Sequence, residues 1–207
     1  MPGTPLSLIV GLGNPGAEHQ KTCHNAGFWF LDALADRTRA EFRGESKFHG
    51  AVANCALAGR AIWLLKPTTY MNRSGMAVSA LVNYFRIEAA EVLVVYDELD
   101  LPPGTARLKF GGGHAGHNGM RDVIAHLGDA FWRLRLGIGH PGNKHEVIDH
   151  VLDRPTPADE RAIRSAIAEG LDVLPLFIEQ GGERAMNQLH RRSPPPGDAP
   201  ASAPGAK

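Results

Sequence analysis

Cysteine is scarce in this 207-residue chain, and neither sign of charge is in excess. Cys23 and Cys55 are the only cysteines, at no spacing that suggests a disulfide or a metal site. A reducing, cytoplasmic compartment suits such a chain. Basic and acidic residues balance at 22 each, so no whole-molecule field draws in a polyanion. A nucleic-acid partner would need a local basic patch. No apolar run approaches the ~20 residues of a membrane-spanning helix. The opening MPGTPLS lacks the basic end and long apolar core of a signal peptide. What remains is an ordinary globular composition, 43% apolar and 21% charged. It predicts one α/β domain over residues 1–192. Residues 193–207, SPPPGDAPASAPGAK, are rich in Pro, Ala and Gly and are predicted to be disordered.

Apolar periodicity sets the expected order of elements. Residues 6–12 read as a buried strand, and residues 24–39 as a helix with Phe28, Leu31 and Ala35 on one face. FHGAVANCAL and RAIWLLKP read as a hairpin turning at Ala58-Gly59. A helix is predicted over residues 74–85, a central strand over EVLVVYDEL, and a short strand over residues 106–110. Asn118 is placed to cap a helix ending near Leu127, and WRLRLGIG reads as a further strand. A last helix is predicted over residues 158–180, kinked at Pro175. Strands alternating with helices imply an α/β sandwich, and the hairpin makes its sheet mixed.

The stretch LIVGLGNPG contains Gly11-x-Gly13-x-x-Gly16 directly after an apolar run. A dinucleotide turn should run straight into a helix and be followed by an acid about 20 residues on. Here Pro15 removes a backbone donor, residues 17–23 lack helical periodicity, and the next strand ends at Cys55-Ala56 without an acid. The residues therefore favour a loop that presents Asn14 to a site over a nicotinamide-binding turn, with a purely structural turn left open.

Several polar groups fall at predicted element ends: Asn14, His24-Asn25, Asn72, Asp97, and His114, His117 and Asn118 within GGGHAGHNG. His24 is the natural general base, since imidazole titrates near neutrality, and Asp97 is a candidate to orient it. No nucleophile elbow is present. Cys23 adjoins His24, but neighbouring side chains point apart, which favours water as nucleophile. His114-x-x-His117 is interrupted by Gly116 and lacks a clear third ligand, so no metal is expected. GGGHAGHNG reads as a mobile flap flanked by Arg107, Lys109 and Arg121. Arg107 and Lys109 share one strand face, as do Arg133 and Arg135, which makes a phosphate-binding patch or an ordinary solvated face.

Taken together, LIVGLGNPG, HNAGFWFLDALA, KPTTYMNRSG, VVYDELDLPPG, KFGGGHAGHNG and RLRLGIGHPG resemble the bacterial peptidyl-tRNA hydrolase family, in order across residues 8–142. VIDHVL and the last helix extend the likeness to about residue 190. The resemblance implies a single α/β sandwich with a mixed, mostly parallel sheet. It implies cleavage of the ester between a peptide and the 3′ ribose of tRNA, by a cytoplasmic monomer without metal, cofactor, membrane or obligate protein partner. By the same resemblance His24 activates water and Asp97 supports it, while Asn14 distinguishes a blocked amino group from a free one. Tyr70, Met71, Asn72 and Asn118 surround the acyl and terminal adenosine groups, and His117 lies near the substrate. Lys109 and Arg135 clamp tRNA phosphate near the acceptor stem and its CCA end. Two positions depart from the family pattern. His19 stands where tyrosine is usual, which still allows stacking and hydrogen bonding, and Cys23 stands where arginine is usual.

Overall fold

The run Val92–Glu98 lies at the heart of the molecule, with all its residues buried. The computed structural model describes residues 5–192, apart from the side chains of Lys144 and Arg192, so the tail at 193–207 lies outside the described residues. In chain order the elements are β1 (Leu8–Gly11), α1 (Ala26–Thr38), β2 (Arg43–Glu45), β3 (Gly50–Leu57), β4 (Arg60–Pro67), α2 (Ser74–Phe85) and β5 (Val92–Glu98). They continue with β6 (Ala106–Phe110), α3 (Asn118–Leu127), β7 (Trp132–Gly137), α4 (Val147–Leu152), α5 (Pro157–Asp172), α6 (Leu174–Gln180) and α7 (Gly182–Arg192).

The strands form one sheet ordered β2-β3-β4-β1-β5-β7-β6. Its centre is parallel: β1 pairs with β4 and β5, and β5 with β7. The flanks are antiparallel, through β2·β3, β3·β4 and β6·β7. Only β3 and β6 run against the rest, so the sheet is mixed and mostly parallel, as expected. Helices cover both faces. On one, Phe30, Leu31 and Leu34 of α1 pack with Ile163 and Ile167 of α5 and Phe177 of α6. On the other, Val78, Leu81 and Val82 of α2 pack with Met120 and Val123 of α3.

From β1 the chain passes through α1 on one face, and from β4 through α2 on the other, so the path reverses at β1 and β5. Crevices open beyond strand ends at such a point. The glycines of the first motif serve packing here. A Cβ on Gly11 would lie 2.3 Å from the Gly27 carbonyl oxygen, and one on Gly27 would lie 2.4 Å from that of Val95. Only hydrogen at both positions lets α1 press onto β1 and β5. Between Gly13 and α1 the chain makes turns and a 3₁₀ turn at Cys23–Asn25 rather than a phosphate-facing helix start.

Several details differ from the sequence expectation. The helix expected over 158–180 is two helices meeting at Val173, and Pro175 sits in the first turn of α6, where its missing N–H costs nothing. The short edge strand β2 and the helices α4 and α7 are additional. His117, not Asn118, caps α3, with its Nδ1 accepting from the Met120 N–H at 3.2 Å.

Candidate active site

The backbone brings two distant polar residues to one point. His24 lies in the 3₁₀ turn leading into α1, and Asp97 near the end of β5. His24 Nδ1 is 2.9 Å from one carboxylate oxygen of Asp97 and 3.0 Å from the other. His117 Nε2 reaches the first of those oxygens at 3.0 Å. The Asp97 side chain is 1% exposed and those of His24 and His117 are 11% and 8%.

The hydrogen bonds fix the proton positions. His117 Nδ1 accepts from a backbone N–H, so in the neutral ring Nε2 carries the proton and donates to Asp97. The Asp97 carboxylate can then accept only N–H donors, so His24 presents Nδ1–H to it. The remaining His24 nitrogen, Nε2, is left with its lone pair. Burial would pull the His24 pKa down, but the charge of Asp97 and its hydrogen bond outweigh burial, and the pKa lies above its ordinary 6.5. Burial would raise the Asp97 pKa, yet the two histidines hold the carboxyl well below the usual carboxylate range. Cys23 cannot serve as nucleophile at neutral pH: burial, aided by Asp97, Asp159 and Asp153, pushes its thiol up to about 12.

A small cleft of about 150 Å³ opens onto His24, Asp97 and His117, walled by Asn118 and by Val147, Ile148 and Val151 of α4. Asn14 lies nearby and is buried. Its Oδ1 accepts from the Met71 N–H at 2.8 Å, and the Asn25 side chain brackets its backbone, accepting from N–H at 2.9 Å and donating to C=O at 3.0 Å. Asn14 Nδ2 has no hydrogen bond among the described residues. Met71 continues the wall, since a Cβ on Gly119 would meet its sulfur at 2.4 Å and His117 at 3.2 Å.

The other expected site residues stand at different distances from this centre. Asn118 is exposed at the start of α3, its Oδ1 accepting from Arg121. Asn72 and Tyr70 are exposed on the loop carrying Met71, Tyr70 at 64%. His19 is half-buried in the loop before His24, 3.7 Å from a Glu18 carboxylate oxygen, and does not line the cleft. The register pairs Arg107 with Arg135 and Lys109 with Arg133, which puts all four cations on one sheet face. Arg133 is nevertheless not part of an open patch. It is 1% exposed, and its guanidinium donates to the Gly112 and Gly113 carbonyls. Arg135 Nε donates to Glu98 at 2.9 Å, and Lys109 is exposed beside Gly112.

Two features were not foreseen. His117 is a second partner of Asp97, and the apolar wall comes from Val147, Ile148 and Val151, for which VIDHVL was the available signal. Among the described residues, His24, Asp97 and His117 are also the group whose ligand atoms, all within 4.8 Å, could hold a metal ion. Each is already hydrogen-bonded within the trio.

Comparison with known proteins agrees with this architecture. The sequence matches the family described as Peptidyl-tRNA hydrolase over residues 8–196. It is 53% identical over 193 residues to a peptidyl-tRNA hydrolase of Polynucleobacter asymbioticus, covering 90% of this chain and 98% of that protein. It is 50% identical to the Leptothrix cholodnii peptidyl-tRNA hydrolase, covering 97% of this chain and 95% of that protein. A crystal structure of peptidyl-tRNA hydrolase from Acinetobacter baumannii superposes with a TM-score of 0.87 at 46% identity, covering 89% of this chain and 94% of that one. The chain belongs to the peptidyl-tRNA hydrolase family and is a hydrolase.

Proposed function

We propose that this chain cleaves the ester joining the C-terminus of a peptide to the 3′ ribose of tRNA, and that His24 activates the attacking water. The observation that carries the reading is the trio of His24, Asp97 and His117, whose hydrogen bonds leave His24 Nε2 basic and facing a cleft. A water proton passes to His24 Nε2 as the oxygen attacks the acyl carbonyl. The imidazolium so formed is stabilised by the Asp97 carboxylate, which His117 holds in place. The tetrahedral oxyanion is met by side-chain amides, with Asn118 and Asn14 the nearest candidates. Its collapse breaks the acyl–oxygen bond, and the 3′ oxygen leaves with the proton from His24.

Asn14 Nδ2 is the donor that engages the carbonyl of the substrate's first peptide bond, the group a free aminoacyl ester lacks. Tyr70, Met71 and Asn72 hold the acyl and terminal adenosine groups, with His19 as a further contact. Lys109 and Arg135 receive phosphates near the acceptor stem without reading sequence. The near-zero net charge of the chain suits a polyanion that must leave after each turnover. In this reading one α/β domain carries the whole activity, as a cytoplasmic monomer without cofactor, and returns tRNA to translation.

The test offers the protein two esters of one tRNA, N-acetylaminoacyl and free aminoacyl. The acetylated ester should yield N-acetyl amino acid and intact tRNA, and the free ester should persist. Equal cleavage of both, or of neither, would overturn the reading.

A further inference from the structure

A groove of about 720 Å³, far larger than the catalytic cleft, runs between α1, the loop at residues 15–21 and the end of β4. It shares no lining residue with the cleft, but Asn14 and Asn25 line it, and these two are tied to the candidate site. His24 and Asn25 are consecutive, one lining the cleft and the other the groove. Asn14 is bracketed by Asn25 on one side and bonded to Met71, the neighbour of Gly119 and His117, on the other. An acyl chain with its ester at His24 Nε2 and its first amide at Asn14 is therefore aimed along this groove.

We infer that the groove receives the substrate peptide N-terminal to the residue esterified to tRNA. This inference rests on the function proposed above.

The lining fits a peptide of mixed sequence better than a nucleic-acid strand. Its floor carries Phe28 and Trp29. Of the three cations in its lining, Lys66 and Arg164 lie over aromatic rings and are paired, while Lys21 is exposed. Lys66 is 4.5 Å from the Phe42 ring centroid and pairs with Asp32, and Arg164 is 5.2 Å from that of Trp29 and pairs with Glu160. A phosphate backbone calls for an excess of positive charge, and here the carboxylates of Asp32 and Asp36 share the lining with the three cations. A peptide instead gains from aromatic surface and aliphatic stems, with exposed polar groups such as Gln20 and Thr68 at the rim for its carbonyls and amides.

The experiment compares two substrates on one tRNA, an N-acetyl-amino acid and a pentapeptide ending in that amino acid. Binding energy from remote parts of a substrate appears in kcat/KM, so wild type should favour the pentapeptide by about fivefold. Gln20→Trp with Asp36→Trp fills the groove at two exposed positions outside the catalytic centre. This variant should bring the pentapeptide down to the level of the short substrate and leave the short substrate within about twofold of wild type. Loss on both substrates alike would mean that the groove supports the fold or tRNA, and an absent length preference would mean that it is empty in the complex; either overturns the inference. Failure of wild type on both substrates would instead bring down the hydrolase reading, and this inference with it. As a second measurement, a photoreactive third residue of the peptide, bound to His24→Ala, should label residues 28–36 or Arg164. Label confined to residues 147–151 overturns the inference.

Discussion

Replacing Asp97 by Asn tests the electrostatic part of the mechanism with almost no change in shape. His24 Nδ1 lies 2.9 and 3.0 Å from the two carboxylate oxygens, and His117 donates to the nearer one. The fixed tautomer of His117 requires an acceptor there, so the new carbonyl oxygen takes that position and the new NH₂ faces His24 Nδ1. Imidazole then shifts its proton to Nε2 and loses the lone pair that should take a proton from water. The imidazolium formed in the transition state also loses its counter-charge. Two unit charges about 4 Å apart at an effective dielectric of about 20 attract by roughly 4 kcal/mol. At 1.36 kcal/mol per tenfold, this is about three decades of rate. The assay is kcat/KM on N-acetylaminoacyl-tRNA as a function of pH, with thermal unfolding as a control for folding. In wild type the rate should rise with pH as His24 loses its proton, with a midpoint above 6.5 because Asp97 outweighs burial. In the variant burial acts alone, so the midpoint should fall while the plateau drops about 10³-fold. A plateau within about threefold of wild type, or a midpoint that moves up, would refute the reasoning.

Arg133→Met takes the donor from the half-buried Gly112 carbonyl and the exposed Gly113 carbonyl, and urea unfolding should show a loss of about 1 kcal/mol. Because those carbonyls belong to the loop that carries His117, KM should rise as well. Gly27→Ala sets a methyl 2.4 Å from the Val95 carbonyl oxygen, so α1 must move away from β5. Stability should fall by about 1–3 kcal/mol, and activity should fall with it as His24 leaves Asp97. Lys109→Ala should weaken tRNA binding and flatten the slope of log K against log salt by about 1, whereas an unchanged slope would remove Lys109 from the phosphate clamp.

Strong local patterns made much of the fold legible. The wholly buried β5 and the hairpin β3–β4 follow from apolar runs and one turn, and α2 from helical spacing. β2 was not legible because RGE carries no apolar signal and is a strand only through pairing with β3. The polar α7 hid for a similar reason: its anchors, Ala185 and Leu189, matter only once the sheet is there to receive them. In the site, His24 and Asp97 stood out as polar groups at element ends. That His117 closes on Asp97 depends on a loop with Gly112 and Gly116 at positive φ, a path that spacing does not encode. Arg133 looked like a surface cation because it alternates with Arg135. It is buried because the flap folds back and offers it two carbonyls.

The central claim is that His24 does chemistry rather than hold tRNA. The most direct measurement is single-turnover hydrolysis of N-acetylaminoacyl-tRNA by His24→Ala, with tRNA affinity determined in parallel. The account predicts a rate lower by about 10²–10⁴-fold at an affinity within about twofold of wild type. Hydrolysis near the wild-type rate, or an affinity loss that accounts for the whole defect, would contradict it.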